Sequence, residues 1–125
     1  MYKIQFPESR DNNGIEGALK YYDDYGTVNT QSLYYRTNTS SNDIAKFKIL
    51  TNGSTLGDNL KFANKSTETN TCLAVSDGNR RALTKKTCNV YDPSQHFIRN
   101  GIKTYNPYVD KCININDPTG LYLHV

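Results

Sequence analysis

The stretch Cys72-Leu73-Ala74-Val75, then Gly78-Asn79, Cys88 and finally Gln95-His96-Phe97 decides how the rest of this chain is read. An apolar run of strand length is followed by a Gly-Asn turn signal, a second short run ending at Cys88, and an aromatic closing residue. If Cys72 pairs with Cys88, the loop between them contains fifteen residues. On the chain-entropy account, closing it is worth about 3 kcal/mol. Such a bond persists only in an oxidising compartment, so the expected location is secreted or extracellular. A metal pair would need further Cys or His ligands at short spacing, and the sequence offers none. The unit is too small to bury a core alone, so it is expected to be one lobe of something repeated.

Working outward, a partial copy begins at Cys112-Ile113-Asn114-Ile115, forty residues on. An earlier equivalent is Ala18-Leu19-Lys20-Tyr21. The second strands align as Ser32-Leu33-Tyr34-Tyr35, Ala82-Leu83-Thr84-Lys85 and Leu121-Tyr122-Leu123-His124. Closing strands follow as Lys46-Phe47-Lys48-Ile49 and His96-Phe97-Ile98-Arg99. Strands are expected at 2–6, 18–22, 33–36, 47–50, 60–63, 72–75, 82–86, 96–98, 102–105, 112–115 and 121–125, separated by Asn/Asp/Gly/Ser turns. Helical periodicity is confined to 15–22, where Gly14 and Gly17 weaken it. The fold class is therefore all-β, and the recurrence selects a β-trefoil of three pseudo-repeats. The whole chain, 1–125, is one domain with lobes at about 1–50, 51–100 and 101–125. The third lobe carries no closing strand. By the pattern a cysteine would stand one position past Val125, and the expectation is a truncated form or a last strand from another chain.

Composition narrows the functional classes. The 125 residues include ten Tyr, four Phe and no Trp, so the large apolar groups are mostly amphipathic. A net charge of +3 without any basic run beyond the pairs Arg80-Arg81 and Lys85-Lys86 argues against nucleic acid. No apolar run approaches the ~20 residues that span a bilayer, so membrane insertion is not expected. His96 and His124 are the only histidines, with no Ser/Asp arrangement beside them. No enzymatic activity, no metal and no cofactor are expected. Asn114 to Gly120 lacks the spacing of a calcium loop and reads as a hairpin turn.

The Cys-Leu strand, the cysteine partner and Gln95-His96-Phe97 resemble the ricin B-chain family of β-trefoil lectins. The family's Gln-x-Trp closing motif becomes Gln95-His96-Phe97 in the second lobe and Ala45-Lys46-Phe47 in the first. The resemblance implies a disulfide between Cys72 and Cys88 and a carbohydrate-binding function. It further implies that a lobe binds sugar where an Asp follows the Cys-Leu pair, an aromatic from the second strand stacks on the pyranose, and an Asn precedes the closing glutamine. Hydroxyls need paired acceptors and donors, and the C–H face of a sugar favours an aromatic platform. In the second lobe these positions hold Ala74, Lys86 and Ser94, which makes that lobe structural. In the third, Asn114 and His124 occupy the first two positions. In the first, Lys20 replaces the Asp, while Tyr34 or Tyr35 offers a stacking ring and Asp23 and Asp24 offer carboxylates. The expected carbohydrate-binding residues are thus Asp23, Asp24, Tyr34, Tyr35, Asn114 and His124, with the first lobe preferred.

The partner implied is a glycan or glycoprotein on a cell surface. Members of the family also serve as the binding part of a toxin or as an accessory to an enzyme chain. The alternative is a protein-interaction trefoil, cytokine- or inhibitor-like, with its sugar sites lost and loops 51–59 and 64–71 contacting a protein. Fold alone does not choose between them.

Overall fold

The computed structural model describes residues 1–10, 16–21, 33–36, 44–53, 55–63, 70–78, 83–117 and 120–124. Within them the chain forms strands β1 (Gln5–Arg10), β2 (Glu16–Tyr21), β3 (Leu33–Arg36), β4 (Phe47–Leu50), β5 (Asn59–Phe62), β6 (Thr71–Val75), β7 (Leu83–Thr87), β8 (Ile98–Asn100), β9 (Lys103–Asn106), β10 (Lys111–Asp117) and β11 (Gly120–His124). A single 3-10 turn, Pro93–Gln95, stands between β7 and β8. The protein is all-β, as the short apolar runs indicate, and Glu16–Tyr21 is a strand where the helical periodicity lay.

The strands pair antiparallel in three sheets, β1-β2-β3, β4-β5-β6-β7 and β8-β9-β10-β11. Two isolated antiparallel bridges link them, Tyr2 with Phe47 and Asp58 with Phe97. Each bridge exchanges both backbone hydrogen bonds, at 3.0 and 2.8 Å in the first and 2.9 Å in both directions in the second. Equivalent hairpins occur in the three sheets. Leu19 faces Tyr35, Leu73 faces Lys85 and Ile113 faces Leu123. Strand β11 lies against both β3 and β7, which puts the β10–β11 hairpin beside each of the other two.

One core cluster draws on all three sheets. It contains Ile4, Phe6, Leu19, Ala45, Phe47, Leu60, Phe62, Leu73, Val75, Phe97 and Ile113. Phe47 and Phe62, opposite one another on β4 and β5, tilt at 51° with ring centroids 4.8 Å apart. That geometry is worth about 0.5–1.5 kcal/mol beyond simple burial. Strand β6 is buried along Cys72 to Val75, consistent with its unbroken apolar sequence. Leu73 and Val75 join the core, while the 3-10 turn packs against the strand and the disulfide adds Cys88 beside it. Cys72 and Cys88 are bonded, with Cα atoms 4.9 Å apart.

Gln95 is the polar hub of this arrangement. Its Oε1 accepts from Asn59 Nδ2 and from the Asn89 backbone N–H, both at 3.0 Å. Its Nε2 donates to Thr87 O at 2.9 Å and to Asp92 Oδ2 at 3.3 Å. Asn59, fully buried, spends its second N–H on Asn89 O at 3.1 Å and accepts from Asn52 Nδ2 at 3.0 Å. Every side-chain N–H of the pair donates and both amide oxygens accept, the condition under which a buried polar network stabilises a fold. The glutamine is therefore a scaffold residue that fastens the turn after β7 to β5.

Candidate functional site

Strand β6 ends at Val75, and Ser76 and Asp77 carry the chain out of the core into the turn that follows. Asp77 is almost fully exposed on its side chain, whereas Lys86, arriving on β7, is 22% exposed. Lys86 Nζ donates to Asp77 Oδ1 at 2.8 Å and to Ser94 Oγ at 3.0 Å. It also lies 3.8 Å from Asp92 Oδ2. Ser94 in turn donates both its hydroxyl and its amide to Asp92 Oδ1, at 2.8 and 3.0 Å.

Asp92 caps the 3-10 turn that carries Ser94 and Gln95. Burial pushes its carboxyl upward, but the Ser94 hydroxyl and amide, then Lys86 and Gln95, outweigh that effect and hold it below the usual aspartate value. The cluster is thus an ordered relay of charge-assisted hydrogen bonds, with the Asp77 carboxylate open to solvent at its outer end.

An aromatic ring arrives from the next sheet. Asn106, fully buried at the end of β9, donates from Nδ2 to Ser94 O at 3.1 Å. Its Oδ1 accepts from the amides of Tyr108 and Val109 at 3.0 and 3.4 Å. This Asx turn fixes Pro107 and Tyr108 beside the 3-10 turn. The turn continues to Asp110, whose φ of +56° is a conformation aspartate tolerates. Tyr105 closes it by donating from its hydroxyl to Asp110 Oδ1 at 2.5 Å, and that bond raises the tyrosine's pKa. Tyr108 is left half exposed. Val75, Ser76, Asp77, Ser94 and Tyr108 together line a shallow cleft of about 70 Å³.

Asp23 and Asp24 lie outside the described residues. Tyr34 and Tyr35 stand on β3, in register with Lys20 and Leu19. Asn114 stands on β10 opposite Tyr122, and His124 on β11 opposite Cys112. Because β11 runs beside β3, the strand bearing His124 is neighbour to the strand bearing the two tyrosines. The second lobe, read from sequence as structural, does bring Lys86 and Ser94 into direct contact, while Ala74 is buried.

Asp77 and Tyr108 were not among the expected ligands. The signal for Asp77 was its place in the turn three residues past Ala74. Tyr108 comes from the turn between β9 and β10, in another sheet, which the alignment of the Cys72–Phe97 segment does not reach. Among the described residues no group of three or more His, Cys, Asp or Glu side chains could hold a metal ion.

Comparison with protein-family models, with curated proteins and with solved structures gave no match in any of the three.

Proposed function

We propose that the chain is a β-trefoil carbohydrate-binding module, secreted, which recognises glycans on a cell surface or glycoprotein and performs no chemistry of its own. Support for the trefoil comes from recurrence. The two bridges repeat the same reciprocal pairing between the start of a lobe and its closing phenylalanine, and the three hairpins converge through β11. Gln95, where the lectin family has its closing glutamine, sits at the centre of the satisfied network around Asn59. The disulfide and the absence of any described helix long and apolar enough to cross a membrane accord with secretion.

The observation that carries the binding function is the cleft lined by Asp77, Ser94 and Tyr108, with Lys86 bonded to the first two from beside it. A carboxylate acceptor, an ammonium donor, a hydroxyl and a half-exposed aromatic ring are the complement a sugar ring requires. The first and third lobes, with Tyr34, Tyr35 and His124 on neighbouring strands, are candidate second sites. A site this shallow implies weak single-site affinity raised by multivalent display. The role as a toxin's cell-binding part belongs to the same reading.

The test is a glycan array probed with the folded chain, followed by titration of any hit against Tyr108→Ala and Asp77→Asn. Loss of binding in both, with thermal stability kept, supports the cleft. A folded chain that binds no glycan, and copurifies with a stoichiometric protein instead, supports the interaction-module reading. That second reading draws on Lys86 already being occupied by Asp77 and Ser94, and on the exposed Tyr91 and Ile102.

A further inference from the structure

Away from the cleft, lysines from three neighbouring strands gather on one sheet face. On β4 and β5, Phe47 pairs with Phe62 and Ile49 with Leu60, and these side chains belong to the core or pack against it. Alternation turns the pair between them, Lys48 and Lys61, to the outer face, directly opposite one another. Lys48 is exposed and Lys61 half-buried. Lys3 joins them from the other edge of β4. Tyr2 bridges Phe47 and Ile4 is buried in the core, so the exposed Lys3 between them is turned outward. Among the described residues no ion pair uses Lys3, Lys48 or Lys61. Lys86, which stands beyond Cys72 on the same face, differs from them because Asp77 holds it at 2.8 Å. Like charges directly opposite on adjacent strands destabilise a sheet, and a bound anion would remove that cost.

An aromatic ring stands beside the row. Asn59 lies two residues from Lys61 on the same side of β5, and its Nδ2 donates to Asn89 O. Asn89 Oδ1 accepts from the Tyr91 amide, and Tyr91 is 87% exposed. We propose that this face binds an acidic polysaccharide bearing sulfate groups. Lys3, Lys48 and Lys61 receive successive anionic groups, and Tyr91 receives the C–H face of a sugar ring. The lysines span three strands, about 10 Å between the outer two, which exceeds the reach of one sulfate or carboxylate. The ligand is therefore a polyanion. A nucleic acid fits less well, because one ring offers one stacking platform where single strands use several. A net charge of +3 also sets up little field for a phosphate backbone. Recognition of an anionic membrane calls for a cluster of about four or more unpaired basic residues. The face is separate from the cleft, and its failure would leave the reading of the cleft standing.

The experiment titrates a heparin oligosaccharide, and the same oligosaccharide stripped of its sulfates, into the full chain by calorimetry at low and at physiological salt. Saturable binding of the sulfated form, about tenfold or more tighter than the desulfated one and weakening as salt rises, is the expected result. Lys48→Gln with Lys61→Gln should weaken it about tenfold, and Lys3→Gln and Tyr91→Ala severalfold each. Thermal melts should find the Lys48 and Lys61 variants at least as stable as the unmodified chain, since an opposed charge has gone. Lys111→Gln, on β10 in another sheet, removes the same charge away from the row and should leave affinity unchanged. A loss with Lys111→Gln as large as with Lys48→Gln would mean that net charge alone attracts the ligand, and overturns the proposal. Full affinity in Tyr91→Ala leaves nothing to select a sugar and overturns it too. Equal affinity for the desulfated oligosaccharide, for phosphatidylserine vesicles or for a single-stranded oligonucleotide does the same, as does the absence of saturable binding.

Discussion

Tyr108 and Asp77 reach the cleft by different routes, and their substitutions should behave alike in binding while touching stability little. Asp77 is nearly fully exposed, and its bond to Lys86 is a surface ion pair worth at most about 1 kcal/mol. Tyr108 is half exposed, and its backbone amide is held by Asn106 Oδ1. Tyr108→Ala and Asp77→Asn are each expected to weaken the best glycan hit about tenfold or more, with melting temperature shifted by no more than a few degrees. Isothermal titration beside a thermal melt reads both. Unchanged affinity in either variant removes that residue from the site.

Gln95 should show the opposite profile. Gln95→Leu leaves the buried Asn59 Nδ2 short of one acceptor and removes the partners that the Asn89 amide and Thr87 O have in a part-buried setting. At roughly 1–3 kcal/mol for the buried group, with the exposed residues regaining water, the loss should be about 1–3 kcal/mol, seen as a lower urea midpoint. Gly57 is similarly intolerant. Its φ is +122°, and a Cβ there would stand 2.7 Å from Phe97 O, against the very bridge that joins two sheets. Gly57→Ala should cost stability on the same scale as Gln95→Leu.

Among the elements, the 3-10 turn Pro93–Gln95 is the one whose stability should follow pH, because its cap is Asp92. The carboxyl is held below its ordinary value in the folded protein, so it binds protons less readily there than in the unfolded chain. Its contribution is therefore complete above the unfolded value of about 4 and is lost as pH falls through the lower native value. Melting temperature should fall more steeply below about pH 4 in the unmodified chain than in Asp92→Asn, with the two curves parallel above pH 5. Parallel curves throughout would mean that Asp92 carries no such linkage.

The hairpins explain why the all-β class was legible in the sequence. Short β-branched and aromatic runs between Asn, Asp and Gly turns mark strands directly, and the expected segments overlap the strands found. Boundaries drifted where tertiary packing decides. The expected strand at 96–98 begins in the structure at Ile98, because Gln95 and His96 are committed to the 3-10 turn while Phe97 pairs alone with Asp58. The site was less legible. A lone carboxylate in a turn and a tyrosine from another sheet's turn carry no local pattern, and the Asn106 bond to Ser94 O helps bring their turns together.

For the whole molecule, what matters is that the core is shared and not divided by lobe. Leu19 comes from the first sheet, Phe47, Phe62 and Leu73 from the second, while Phe97 adjoins the third and Ile113 lies within it, yet all belong to one buried cluster. No sheet can lose its contribution without exposing apolar surface of the others. The Tyr2 and Asp58 bridges reinforce this, as does the hydrogen bond between the hydroxyls of Tyr2 and Thr104, which joins the N-terminal segment to β9. Leu19→Ala and Phe97→Ala, though far apart in sequence, should therefore each cost roughly 2–5 kcal/mol and lower a single common transition. Reduction of the Cys72–Cys88 bond should lower that same transition by about 3 kcal/mol. Scanning calorimetry gives the check: calorimetric and van't Hoff enthalpies should agree for each variant and for the reduced chain. If Leu19→Ala splits the melt into two steps and Phe97→Ala moves only the later one, the first sheet folds apart from the other two, and the shared core is not one cooperative unit.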